Sequence, residues 1–465
     1  MAAEDSPLTP TTVDATLARA LAQYVTQIND DDFSAQARAI AVDAMLDCAG
    51  CMIAGSGEAI GSIVARTLLS VSTDAGGVPL IGTKRAATPA DSALYHGAIA
   101  HALDYDDTNH PAYAHPSAVI VPTALAVAAL AGARGRDAVT AHILGVEVFG
   151  KLGRALNTEH YTRGWHATAT FGSLAAAVVA GRLLRLSEDE LVMAIGIAAS
   201  AAGGLRANFG TMVKPLHAGY AARNGVVAAL LAQAGFDASE AALDHRYGYC
   251  NVFNDGLTRD LDALRSWGQP VEILTDYGIA LKPYPACGAT HPGIEAAIAL
   301  HHKIAGRPIE RVRAGVCKMA FAPLIHIEAN TPLEGKFSLH YCVAAALIDG
   351  RVDLATFTPE RVADARIRAL VPRISMELEP RFADDSEFPT TIAVTLTDGT
   401  RLEETVPLAL GKPARWPNRA QLEAKFADCA LRPLGAAACA RAFVRLSALD
   451  DDRPLVSLFD SFNAE

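Results

Sequence analysis

The sequence predicts a mainly α protein, a large all-helical domain with a smaller α+β domain inserted in it. Three observations carry this expectation. Of 465 residues 51% are hydrophobic and only 6% aromatic, and an alanine-rich, leucine-rich composition of that kind favours close-packed helices. From Val13 to about Ala234, apolar helical stretches follow one another, separated by capping and breaking residues. After about Asp276 a period of two appears.

Taken in chain order, Thr12 caps a helix over 13–28, and Pro89-Ala90-Asp91 opens one that reaches Leu103. Ser187-Glu188-Asp189-Glu190 opens another that reaches Ser200. The wholly apolar stretches 174–180 and 226–232 belong to helices surrounded by other helices. Further on, Ile374, Met376 and Leu378 alternate, as do Ile392, Val394 and Leu396, and Asp398-Gly399 supplies a tight turn before Leu402. These strands sit among expected helices over 292–303 and 339–349, which makes the segment α+β. Gly411-Lys412-Pro413 to Pro417-Asn418 reads as a return linker, and 421–446 as a helical tail, broken near Pro433 and Gly435, that packs back on the first domain. The expected organisation is therefore a helical domain from 1–279 and 417–465, with the α+β domain at 280–416.

A net charge of −11 gives no general attraction to nucleic acid or to an anionic membrane surface, so an anionic ligand must be held by local cations. The first twelve residues carry Glu4 and Asp5 and lack the basic segment and apolar run of a secretion signal, and the cytoplasm is the expected location. No membrane span is expected, because the apolar stretches are short and 117–132 is interrupted by Pro122. Eight cysteines lie mostly among apolar neighbours and read as buried thiols. Cys48 and Cys51 form a C-x-x-C inside an expected helix, with no second pair at metal spacing, and core packing outweighs redox or zinc chemistry.

Five segments carry chemistry. The first runs from His101 to Ser117 and contains Asp104, Asp106, Asp107, Thr108, His110 and His115 between two apolar helices. Buried carboxylates and imidazoles cost several kcal/mol unless paired, which argues for a prearranged network. A plain polar loop with aspartate caps is the alternative, and a metal held by Asp106, Asp107, His110 and His115 is a third reading, without any specific ligand spacing. The second is Gly164-Trp165-His166-Ala167-Thr168, where His166 precedes a helix whose N-terminal dipole disfavours imidazolium. The third, Lys214-Pro215-Leu216-His217, delivers Lys214 to the first turn of a helix, where it can meet a carboxylate or simply face solvent. The fourth, Lys282-Pro283-Tyr284-Pro285-Ala286-Cys287 with Thr290-His291-Pro292, is stiffened by its prolines at the expected domain boundary, as a site or as a hinge. The fifth, Lys336 to Tyr341, opens an apolar helix and presents Lys336 or Tyr341 to the cleft, or buries the tyrosine.

In this order the segments resemble the MmgE/PrpD family over nearly the whole chain: DYDDT with a later HPS, GWHxT, KPLHxG followed by ARNG, KPYPxC with THP, and KFSxHY. Each motif is weak alone, and five in register are specific. The resemblance implies a homodimer whose smaller domain is a lid, with a metal-free, cofactor-independent site in the cleft. It implies a small anionic di- or tricarboxylate as substrate, held by Asp104, Thr108, His115, His166, Lys214 and Lys282, with Cys287 at the binding surface and Tyr341 as a less secure member. Family members include 2-methylcitrate dehydratases, cis-aconitate decarboxylases and an iminodisuccinate epimerase, so membership does not name the substrate. The expected activity is a lyase, foremost a dehydratase using histidine acid/base chemistry and lysine carboxylate binding. Epimerisation, decarboxylation and non-catalytic ligand binding are the alternatives. Two departures bear on this: Cys287 stands where the decarboxylases carry a histidine, and KPYPAC differs from the phenylalanine-centred motif of the enterobacterial dehydratase type.

Overall fold

A computed structural model describes residues 15–69, 77–256, 260–382 and 387–462. The expected cap Thr12 and helix start Val13 lie outside them; the first described helix is Leu17–Gln27, capped by Thr16. Helices follow at Ala35–Gly55, Pro89–Ala100, Ser117–Ala131, Gly135–Leu156, Ala167–Leu183, Glu188–Ala201 and Val213–Gln233. Local chemistry explains several of their ends. The Thr88 hydroxyl accepts from Asp91 N at 3.2 Å ahead of Pro89, and Ser187 and Glu190 form a reciprocal capping box. Helix Ala167–Leu183 is buried on nearly every side, as its unbroken apolar sequence requires.

One hydrophobic core runs through residues 17–281 and takes in Leu422, Phe426, Ala442 and Phe443 from the tail. A second lies within residues 286–406. It packs helices His291–Ile304 and Leu339–Asp349 with a four-stranded sheet in the order Ile374–Leu378, Ile309–Val316, Thr390–Leu396, Arg401–Val406. The first pair is parallel and the other two antiparallel. Asp398-Gly399 makes the expected turn, with Gly399 at φ 85°. Among the described residues no single helix is long and apolar enough to cross a membrane.

The chain crosses between the two cores twice, and the crossings lie side by side. Leu281 N donates to Gly411 O at 2.9 Å, while Thr108 and Ala280 exchange backbone bonds of 2.8 Å each. The tail helix Arg419–Leu434 returns to helix Ala35–Gly55, where Phe426 covers Gly50 and Trp416 Nε1 donates to Asp43 at 2.8 Å.

Helices Pro89–Ala100 and Val213–Gln233 cross where Gly97 meets Gly219. A β-carbon on Gly97 would lie 2.6 Å from Gly219 Cα, and one on Gly219 would run into the Leu94 carbonyl. This close approach brings the C-terminal end of the first helix beside the N-terminal end of the second, which is where the site forms. Gly97→Ala or Gly219→Ala should therefore cost about 1–3 kcal/mol by overpacking. Gly203→Ala, with open space around it, should not. Thermal unfolding checks this: equal midpoints for all three variants would contradict the close-packed crossing.

Candidate active site

Helix Pro89–Ala100 ends in a turn that carries Asp104 at φ 54°, in the left-handed region that a non-glycine residue enters at a cost. Lysines hold this turn. Lys336 Nζ donates to Leu103 O at 2.5 Å, Lys282 Nζ to Asp104 O at 2.9 Å and Lys425 Nζ to Tyr105 O at 2.8 Å. The Asp104 carboxylate faces two of the ammonium groups, with Lys214 2.7 Å from Oδ1 and Lys282 3.1 Å from Oδ2. Burial alone would raise the Asp104 carboxyl; Lys214 and Lys282, then His115 and His101, overcome it and hold the group well below the usual range.

Beside this cluster lies a buried histidine group. His101 Nδ1 sits 2.9 and 3.0 Å from the two oxygens of Asp106, and His115 Nδ1 lies 3.1 Å from Asp106 Oδ2. The two rings are 4.2 Å apart, and His166 stacks on His101 at 6.1 Å. His115 Nε2 is 3.8 Å from Asp104 Oδ1, and Thr168 Oγ1 accepts from the His115 backbone at 3.1 Å. His166 caps helix Ala167–Leu183, and its Nδ1 lies 3.0 Å from Nδ1 of His217. Burial, reinforced by Lys214, holds His166 well below its ordinary value and therefore neutral. Burial pushes His101 down to about 3 against the pull of Asp106, so Asp106 is the charged member of that pair.

The structure thus brings together Asp104, His115, His166, Lys214 and Lys282, with Thr108 paired to Ala280 at the edge. Cys287 is half-buried beside them; burial raises its thiol while Lys282 and Lys214 pull it down. Tyr341 is not brought there, because it lies in the second core with its hydroxyl donating to Thr356 O at 2.6 Å. The alternative metal-ligand set of Asp106, Asp107, His110 and His115 is not assembled either. Asp107 accepts from Ser117 N at 3.0 Å and from the Ser117 hydroxyl, and the His110 ring lies tilted against Tyr277 at 5.1 Å. A different set, His101, Asp104, Asp106 and His115, has one ligand atom each within 4.8 Å of the others. Two ammonium groups already neutralise its Asp104 member.

Sequence reasoning did not assign a role in the site to His101, His217 or Lys425. For Lys425 a signal existed, since it interrupts the apolar stripe of Leu422, Phe426 and Cys429 and must find buried partners: Asp47 at 2.5 Å as well as Tyr105 O. Lys336 belongs to the site through its contact with Leu103. Burial lowers it to about 8, and Lys282 and Lys214 push the same way.

Burial places His96, His101, His142, His160 and His291 each near a pKa of about 3. An unfolded histidine takes its proton near 6.5, so the stability these neutral rings contribute is complete above about pH 6.5 and is lost as pH falls toward 3. Asp107, raised to about 7, and Asp47 and Asp428, each to about 6, oppose this but are fewer. The urea midpoint should fall between pH 7 and pH 5; a constant or rising midpoint would contradict neutral burial.

Comparison with known proteins shows the family. The MmgE/PrpD N-terminal domain matches residues 19–261 and the MmgE/PrpD C-terminal domain residues 284–449. A human cis-aconitate decarboxylase is 29% identical over 353 residues, covering 73% of this chain and 72% of the relative. A cis-aconitate decarboxylase-like protein of Aspergillus oryzae is 27% identical over 432 residues, covering 87% and 88%. The 2-methylcitrate dehydratase of Cupriavidus necator is 29% identical over 364 residues, covering 71% and 72%. With both domain types matched in order across most of its length, the chain belongs to the MmgE/PrpD family.

Proposed function

We propose that this protein is a lyase that dehydrates a citrate-like di- or tricarboxylate without a metal or other cofactor. The observation that carries the reading is the pair Lys214 and Lys282 closed on Asp104, with His115 and His166 beside it. Removing a proton from carbon next to a carboxylate puts negative charge on that carboxylate. Two preorganised, largely buried ammonium groups stabilise such charge well. His166, neutral, is fit to take the proton, and His115, between Asp104 and Asp106, is fit to give one to a departing hydroxyl. Relatives named 2-methylcitrate dehydratase support this chemistry.

Relatives named cis-aconitate decarboxylase favour a second reading, decarboxylation. Against it, Cys287 stands where the resemblance puts a histidine, and nearby His291 is buried with its Nε2 3.1 Å from Ala286 O. A metal held by His101, Asp104, Asp106 and His115 would have to displace Lys214 and Lys282 from Asp104.

Incubation with 2-methylcitrate, citrate, cis-aconitate and an amino-dicarboxylate separates the readings. Dehydration predicts a new conjugated double bond without carbon dioxide release, and activity that survives a strong chelator. Carbon dioxide release, or activity restored only by added divalent metal, would overturn the reading. Lys214→Met or Lys282→Met each removes a charge-assisted contact of about 1.5–3 kcal/mol, so substrate affinity should fall about ten- to a hundredfold. His115→Gln and His166→Gln should lower turnover at least about a hundredfold with far smaller changes in affinity. Near-normal kinetics in all four variants would contradict the assignment.

A further inference from the structure

The ring nitrogens of His166 and His217 face each other Nδ1 to Nδ1 at 3.0 Å, and both rings are buried, 1% and 5% exposed. At that distance two lone pairs repel and two N–H groups collide, so the gap holds one proton. The tautomers of the two rings are therefore linked. When His166 donates, its Nε2 carries a bare lone pair; when His217 donates, His166 carries its proton on Nε2.

We propose that His217 is a positioning residue that sets the tautomer of His166 and relays its proton; this rests on the reading of His166 as the base. With Nδ1 engaged by His217, Nε2 is the His166 nitrogen left to meet substrate. In the resting state His166 Nδ1–H donates to His217 Nδ1. The substrate C–H bond then breaks and its proton forms a bond to His166 Nε2, the electron pair staying on the substrate. The Nδ1–H bond of His166 breaks as the Nδ1–H bond of His217 forms, which returns His166 to neutrality beside Lys214. His217 carries the positive charge until its Nε2 proton passes to water; the pair resets when His166 Nε2 gives the abstracted proton to water, the shared proton returns to His166 Nδ1 and His217 Nε2 takes a proton from water. Burial, with Lys214 behind it, lowers both rings, so the resting pair is neutral.

His217→Phe keeps a ring and removes both nitrogens. For the acid of the panel that turns over, kcat should fall about tenfold or more while KM stays within about twofold. A folded His217→Phe with unchanged kcat would overturn the relay. If that variant does not fold, nitrogen-15 imidazole spectra of the unaltered protein decide: a shared proton coupling the two Nδ1 atoms is expected, and two Nδ1 atoms with no shared proton would overturn it. Failure of the underlying reading looks different, since His166→Gln would then retain turnover.

Discussion

The turn Leu103–Asp104–Tyr105 is the constraint on which the rest of the molecule depends. Three successive carbonyls, just past the end of helix Pro89–Ala100, each accept from a different lysine. A helix C-terminus carries partial negative charge, and buried ammonium groups satisfy it. These lysines come from distant parts of the chain: Lys282 from the crossing between the cores, Lys336 from the second core, and Lys425 from the returning tail. One turn thus ties together every major segment, and the ties offset the strain of Asp104 at φ 54°.

Function follows from the same arrangement. Desolvating four lysines near one turn is costly unless counter-charges are supplied. Asp104 answers Lys214 and Lys282, and Asp47 answers Lys425. Lys336 has only the Leu103 carbonyl as a hydrogen-bond partner in the described hydrogen bonds, and its lowered proton affinity is the result. Under the proposed reading an arriving carboxylate enters a field already built for anions, next to His101 and His166, which burial keeps neutral. Preorganisation of this kind removes much of the reorganisation that water would need to stabilise developing charge.

Much of the fold was legible in the sequence because local chemistry decides it. The capping box at Ser187 and Glu190, the Asp398-Gly399 turn and the alternation of Ile392, Val394 and Leu396 all act within a few residues. Strand Ile309–Val316, central to its sheet, was not anticipated. Arg311 and Arg313 interrupt its apolar pattern, and both pair with neighbours across the sheet, Thr395 and Glu377. The site was legible where a residue announced itself by its backbone, as with Lys214 before Pro215. It was not where meaning arises from partners far along the chain. Tyr341 lies near a helix start, and only the packing of that helix decides that its hydroxyl meets Thr356. His217 meets His166 only because the fold sets the start of its helix beside the start of helix Ala167–Leu183.

Binding of tricarballylate, an unreactive tricarboxylate, to Asp104→Asn measured by calorimetry tests the central claim most directly. If Asp104 holds Lys214 and Lys282 ready for a substrate carboxylate, removing its charge leaves two ammonium groups unanswered, and the analogue should bind at least as tightly as to the unaltered protein. Clearly weaker binding in a folded variant would show that the anion does not meet these lysines, and would contradict the account.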